Sequence, residues 1–302
     1  MMEKEIVCSL EKEGFRGHFY PGCKETNKAI IFVGGASCDE KTSIAMSGFL
    51  RKEGYNVLVL GFYFWKGLNK NLASIPVEYV EKAVKWIKEE QGIEKIAMTG
   101  ASTGAGYTLL CASLIADITC VIPVVPYDYI MEGTNSRNKR LHCSVYTYHG
   151  ENVPYTECEM LDMGMINWLK RAKKAEGYGI RRFMRFGYDL IESKLNPESR
   201  IKVEKMNADV LLLAARNDDC WPSDVATKRM LEVLRESNYG YRMEAHIYDK
   251  GSHALVDGMN EMNGFTKFLF KLMIPTEKKY PRECEEARQD SFKRIIKFIE
   301  EW

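Results

Sequence analysis

Residues 95–104 read Lys95-Ile96-Ala97-Met98-Thr99-Gly100-Ala101-Ser102-Thr103-Gly104. The apolar run 95–99 predicts a buried strand, and the small-residue stretch 104–114 predicts a helix. Between them lies G-x-S-x-G, the pattern of a sharp strand-to-helix turn that lifts a serine hydroxyl out of the backbone. Glycines on both sides spare such a turn from side-chain clashes. Ser102 would stand exposed at a helix N-terminus, and the amide of Thr103 would point to where a tetrahedral oxyanion forms.

Working outward, short apolar runs alternate with amphipathic stretches. Strands are predicted over 6–10, 15–20, 29–33, 56–60, 95–99, 120–125, 210–214 and 242–248. Runs such as AIIFV, VLVL and VLLLA are almost continuously apolar, as strands are when helices cover both faces. The first two read as a hairpin around Gly14. Pro76 is expected at a first helical position, with Val80, Val84 and Ile87 on one face and Gly92 as the stop. A helix is predicted near Thr42, another from a Ser223 cap to Arg235, and a third whose Phe292, Ile295, Ile296, Ile299 and Trp302 share a face. Strand–helix alternation of this kind predicts a single α/β domain over 1–302 with a mostly parallel sheet. Residues 134–200 interrupt it with helical text at 160–174 and 180–195, so a helical insertion capping one end of the sheet is expected there. That segment holds 12 Lys and Arg against 8 Asp and Glu.

Composition excludes several classes. Of 302 residues, 45% are hydrophobic and 28% charged, which is globular composition. Lys plus Arg is 43 and Asp plus Glu 42, for a net charge of +1, so no nucleic-acid partner is expected. No apolar run reaches the ~20 residues of a membrane span. The opening Met-Met-Glu-Lys-Glu lacks the apolar core of a secretory signal, and a cytoplasmic protein is expected. The nine cysteines are odd in number and include no Cys-x-x-Cys spacing, so neither a disulfide framework nor a thiolate zinc site is predicted.

A serine hydroxyl needs a base to become a nucleophile, and the base needs an orienting acid. Behind an elbow of this kind the chain order is serine, acid, histidine. Asp218 and Asp219 follow the strand at 210–214, and His253 follows the strand ending at 248, within Lys250-Gly251-Ser252-His253. Asp218 is preferred as the acid, since it stands four residues before Pro222; Asp219 is the alternative. Cys220 adjoins two carboxylates that disfavour its thiolate, so it is not expected to act as a nucleophile. His18, His142, His149 and His246 are read as structural. A second oxyanion donor is expected in Gly34-Gly35-Ala36-Ser37 after the strand at 29–33, Ala36 first and Gly35 next. No metal or organic cofactor is implied.

With these residues in hand the chain resembles the α/β-hydrolase family. More narrowly it is similar to the C-terminal catalytic domain shared by acyl-CoA thioesterases and bile acid-CoA:amino acid N-acyltransferases. The matching text is FVGGAS at 32–37, GASTG at 100–104, VPYDYIMEG at 125–133, IKVEKMNADVLLLAARNDDCWPS at 201–223 and GSHAL at 251–255. The resemblance implies Ser102 as nucleophile, Asp218 as acid and His253 as base. Transferases of the family use cysteine where this chain has Ser102, so hydrolysis is implied. The expected substrate is a small-molecule acyl-CoA thioester. A carboxylesterase or peptidase of the same fold, and a degenerate hydrolase serving as a binding module, are the other readings. Lys170, Arg171, Lys173, Lys174, Arg181, Arg182 and Arg185 are candidates to meet the phosphates of CoA, or simply form a solvated face.

Overall fold

A computed structural model describes residues 5–36, 38–255 and 274–302. In chain order the strands are β1 (Ile6–Cys8), β2 (Arg16–Tyr20), β3 (Lys28–Val33), β4 (Asn56–Gly61) and β5 (Ile75–Pro76). They continue as β6 (Lys95–Ala101), β7 (Ile118–Val124), β8 (Glu132–Thr134), β9 (Arg140–Ser144), β10 (Tyr146–Tyr148), β11 (Glu151–Asn152), β12 (Asp209–Ala215) and β13 (Met243–Tyr248). The α-helices are α1 (Glu40–Met46), α2 (Gly48–Lys52), α3 (Glu78–Gln91), α4 (Thr103–Leu114), α5 (Met165–Lys174), α6 (Phe183–Ile191), α7 (Ser223–Glu236), α8 (Pro275–Lys279) and α9 (Pro281–Glu301).

The eight runs predicted as strands form one 8-stranded sheet in the order β1-β2-β4-β3-β6-β7-β12-β13. β1, β2 and β4 pair antiparallel, and every pairing from β4 to β13 is parallel. Alternate residues of the parallel strands enter opposite cores. Ile31 and Val33 face a cluster with α3, α4 and α7, through Val80, Leu109 and Met230. Ile30 and Phe32 face another with α2 and α9, through Leu50, Ile295, Phe298 and Ile299. Two covered faces explain why these strands lack a polar alternation. Among the described residues no helix is long and apolar enough to cross a membrane.

Local expectations fare differently. α3 ends at Gly92, a left-handed cap at φ 65°. Pro76, however, is not its first residue. It belongs to β5, which pairs with β10, and its carbonyl accepts the Tyr107 hydroxyl, so the helix starts at Glu78. Ser223 is likewise not a cap: its Oγ donates to the Ala215 carbonyl at 3.3 Å, joining α7 to the end of β12. The segment 134–200 is mixed. Residues 159–199 carry α5, α6 and short 3-10 turns, but 132–152 form the β8–β9 pair and the strands β10 and β11, which join β5 in a small sheet. These strands are only two to five residues long, and even the alternation of Leu141 and Cys143 in RLHCS covers too few residues to stand out as a strand signal.

Candidate active site

Ser102 stands between β6 and α4 at φ 58°, ψ −124°, a conformation that costs a non-glycine residue about 1–3 kcal/mol. The strain is enforced by close packing of the backbone on either side. A Cβ on Gly104 would lie 2.2 Å from the Gly34 carbonyl oxygen, and one on Gly100 would lie 2.5 Å from Val33 Cγ2. The elbow is thus wedged against the loop that follows β3.

Three separated segments meet at the carboxyl ends of the parallel strands. The Ser102 hydroxyl lies 2.9 Å from His253 Nε2. His253 Nδ1 lies 2.9 and 3.0 Å from the two oxygens of Asp218. Nδ1 faces a carboxylate and must donate, which leaves Nε2 as the acceptor for the serine proton. Asp218 Oδ1 also accepts the backbone amides of Cys220 at 2.9 Å and Trp221 at 3.2 Å. Asp219 turns the other way: its Oδ2 accepts the amide of Thr276 and its Oδ1 pairs with Arg182 at 3.2 Å. Of the two candidate acids, Asp218 is the one brought to the imidazole.

Burial disfavours a charged imidazole, but the Asp218 carboxylate, with the Cys220 sulfur beside it, more than offsets this, and His253 is held well above the usual histidine range. The Trp221 ring stands edge-on to the imidazole at 5.0 Å and anchors its indole N–H on the Val125 carbonyl. The remaining histidines lie elsewhere. His18 is held between Glu5 and Glu40, His246 packs on Tyr248, and His142 and His149 are exposed near Glu132 and Glu78.

The second donor loop also reaches the serine. The Cβ position of Gly35 is 3.5 Å from Ser102 Cβ, and Ala36 lines the same cavity as Ser102 and Thr103. Ser37 lies outside the described residues. The amide of Thr103, in the first turn of α4, has no carbonyl a turn earlier to bond. Its own carbonyl accepts the Tyr146 hydroxyl at 2.9 Å, which ties β10 to the elbow.

Above the serine opens a cavity of about 510 Å³, walled by aromatic rings including Tyr127, Tyr146, Tyr188, Trp168, Phe183 and Trp221. Sequence reading missed this lining. Its members are spread from 36 to 221 on short strands, helices and loops, with no shared period. The basic run does not line it. Arg182 pairs with Asp219, while Arg185 binds Asp189 and the carbonyl of Asp218, so these two cations brace the acid loop.

A further network supports the histidine loop. Buried Arg288 donates to Glu277 at 2.7 Å and to the Ala254 carbonyl at 3.3 Å, and Ser252 donates to the same Glu277. Replacing only one partner leaves a buried charge unpaired. Arg288→Leu is expected to cost roughly 3–5 kcal/mol of unfolding free energy, and substituting Glu277 by leucine as well to recover much of it. Denaturant titration of the three proteins measures both effects.

Residues 75–257, more than half of the chain, match the family model described as "BAAT / Acyl-CoA thioester hydrolase C terminal". A peroxisomal succinyl-coenzyme A thioesterase of Mus musculus is 26% identical over 184 residues, covering 60% of this chain and 38% of that protein. Acyl-coenzyme A thioesterase 1 of Mus musculus is 24% identical over 198 residues, 65% of this chain and 40% of its own length. The chain thus spans about two fifths of the length of these curated relatives. Among solved structures, an esterase of Pyrococcus furiosus superposes with a TM-score of 0.54 at 15% identity, covering 100% of this chain and 91% of that one. A putative dienelactone hydrolase of Klebsiella pneumoniae gives a TM-score of 0.53 at 15% identity, covering 99% of both chains.

Proposed function

The chain belongs to the BAAT / acyl-CoA thioester hydrolase C-terminal family and has the α/β-hydrolase fold; from that premise we propose that it hydrolyses acyl-CoA thioesters through Ser102, His253 and Asp218. The observation that carries the reading is the unbroken relay of 2.9 Å from hydroxyl to imidazole and 2.9 Å from imidazole to carboxylate.

Ser102 Oγ attacks the acyl carbon while Nε2 of His253 takes its proton. Asp218 holds the tautomer and stabilises the imidazolium. The amide of Thr103 and one from the 35–36 loop receive the oxyanion, each typically worth ~3–4 kcal/mol of transition-state stabilisation. The thiolate leaves with the proton from His253, giving an acyl-enzyme. Water, deprotonated by the same imidazole, then releases the acid and restores Ser102. The aromatic cavity holds the acyl chain, and residues 134–200 act as a cap over it within one 1–302 domain. The thioester preference is taken from the relatives.

A second reading has its own support. Lys70 is the single lysine in the cavity wall, and no arginine joins it among the described residues. A lining so poor in cations suits an uncharged oxygen ester as well as a polyanionic CoA ester. Turnover of matched acyl-CoA and p-nitrophenyl esters, with a Ser102→Ala control, decides between them. Faster kcat/KM on the oxygen ester would overturn the thioesterase reading, and no turnover or fluorophosphonate labelling would leave a binding module.

The histidine sets the pH dependence. The base works only when neutral, so kcat/KM is expected to fall as pH drops through the pKa of His253. Because Asp218 holds that pKa high, the acid limb lies above the usual imidazole range. A pH profile of kcat/KM on a p-nitrophenyl ester measures it; a limb at or below the ordinary value would contradict the assignment.

A further inference from the structure

Cys220 has no part in the relay, yet its side chain stands beside it. The sulfur of Cys220, a carboxylate oxygen of Asp218 and a ring nitrogen of His253 lie within 4.8 Å of one another. The thiol is free and half-buried. We propose that Asp218, Cys220 and His253 form a site for a zinc-class dication, and that occupancy switches the serine centre off.

The donor set argues for the class of ion. One thiolate, one imidazole and one carboxylate are the ligands that soft-to-borderline dications take, at about 2.0–2.3 Å, with a fourth position left to water. Donors at those distances from one tetrahedral ion stand roughly 3.3–3.8 Å apart; Nδ1 and the Asp218 oxygens, now 2.9 and 3.0 Å apart, have to part slightly, and the sulfur already lies within 4.8 Å of both donors. A carboxylate and a thiolate together match a charge of +2, so the filled site is neutral where it is buried. A hard cation such as magnesium gains nothing from sulfur.

The consequence for the relay follows from proton positions. A metal on Nδ1 takes the lone pair there, so Nδ1 gives up its hydrogen. The ring remains neutral by carrying that hydrogen on Nε2, while the Cys220 thiol releases its proton to solvent. Nε2 then faces Ser102 as a donor and has no lone pair to accept the hydroxyl proton. The carboxylate that oriented the imidazole is bound to the ion as well. This inhibition rests on the serine reading; the binding itself does not.

The test uses chelator-treated full chain, zinc and cobalt(II), with two readouts. Zinc is expected to suppress fluorophosphonate labelling of wild type, with recovery on adding chelator and no effect of magnesium. Cys220→Ala, whose backbone amide still bonds Asp218, is expected to label normally without metal and to need on the order of tenfold more zinc or above for the same suppression. Cobalt is expected to give a thiolate charge-transfer band in wild type and in Ser102→Ala, and none in Cys220→Ala. Equal zinc sensitivity in wild type and Cys220→Ala, or a cobalt band that survives loss of Cys220, would overturn the site. If metal-free wild type never labels, the serine reading fails, and the cobalt band decides the metal site by itself.

Discussion

Ser102→Ala is expected to abolish covalent labelling by a fluorophosphonate and to lower kcat by on the order of 10⁵–10⁶-fold. The size follows from what is lost. Without the hydroxyl there is no acyl-enzyme, and the remaining oxyanion donors and bound base can only assist direct attack by water. The fold should survive, because alanine keeps the Cβ and the φ of 58° is no worse for it than for serine. The lost hydrogen bond is one to a largely buried imidazole, so the change in stability should stay near 1 kcal/mol. Two measurements are therefore needed together: a labelling gel with kinetics, and a thermal or denaturant unfolding curve. Residual labelling at a cysteine or at another serine would remove Ser102 from the centre of the proposal. Loss of labelling together with loss of the fold would leave it unsupported.

The parts of this molecule that were legible in sequence share one physical property. β3, β6, β7 and β12 are buried on both faces, so each must be apolar along its length, and each announces itself. The approach of Ser102, Asp218 and His253 was legible for a related reason. Each follows the carboxyl end of a parallel strand, and parallel strands bring those ends to one rim. What stayed hidden depends on partners far away in the chain. Pro76 reads as a helix start until Tyr107 and β10 claim it. Ser223 reads as a cap until the end of β12 takes its hydroxyl. Glu277 and Arg288 lie in a stretch rich in charged residues and carry no sequence signal of their own, yet they are buried behind the histidine loop. The strands at 132–152 are two to five residues long and partly exposed, too short for a pattern to stand out from the surrounding text.

Asp218 and Asp219 provide the sharpest separation between neighbours. Asp218→Asn is expected to lower kcat by about 10⁴-fold, the scale seen when a triad acid loses its charge but keeps its shape. The amide still has one oxygen for the backbone N–H groups of Cys220 and Trp221, so the loop is expected to keep its turn. If that oxygen stays on the amides, the NH₂ group faces Nδ1 and favours the tautomer with its hydrogen on Nε2. That tautomer cannot take the serine proton. The carboxylate that lifts the histidine pKa is also gone, so the acid limb of the residual activity should move to lower pH. Asp219→Asn should behave differently. Its carboxylate meets Thr276 and Arg182 and not the imidazole, so the cost is expected in stability, with kcat changed by less than about tenfold. Measuring kcat, the acid limb and unfolding free energy for both variants separates the two roles. A large kcat loss in Asp219→Asn with Asp218→Asn near wild type would reverse the assignment, which rests on Asp218, not Asp219, meeting Nδ1 at 2.9 Å.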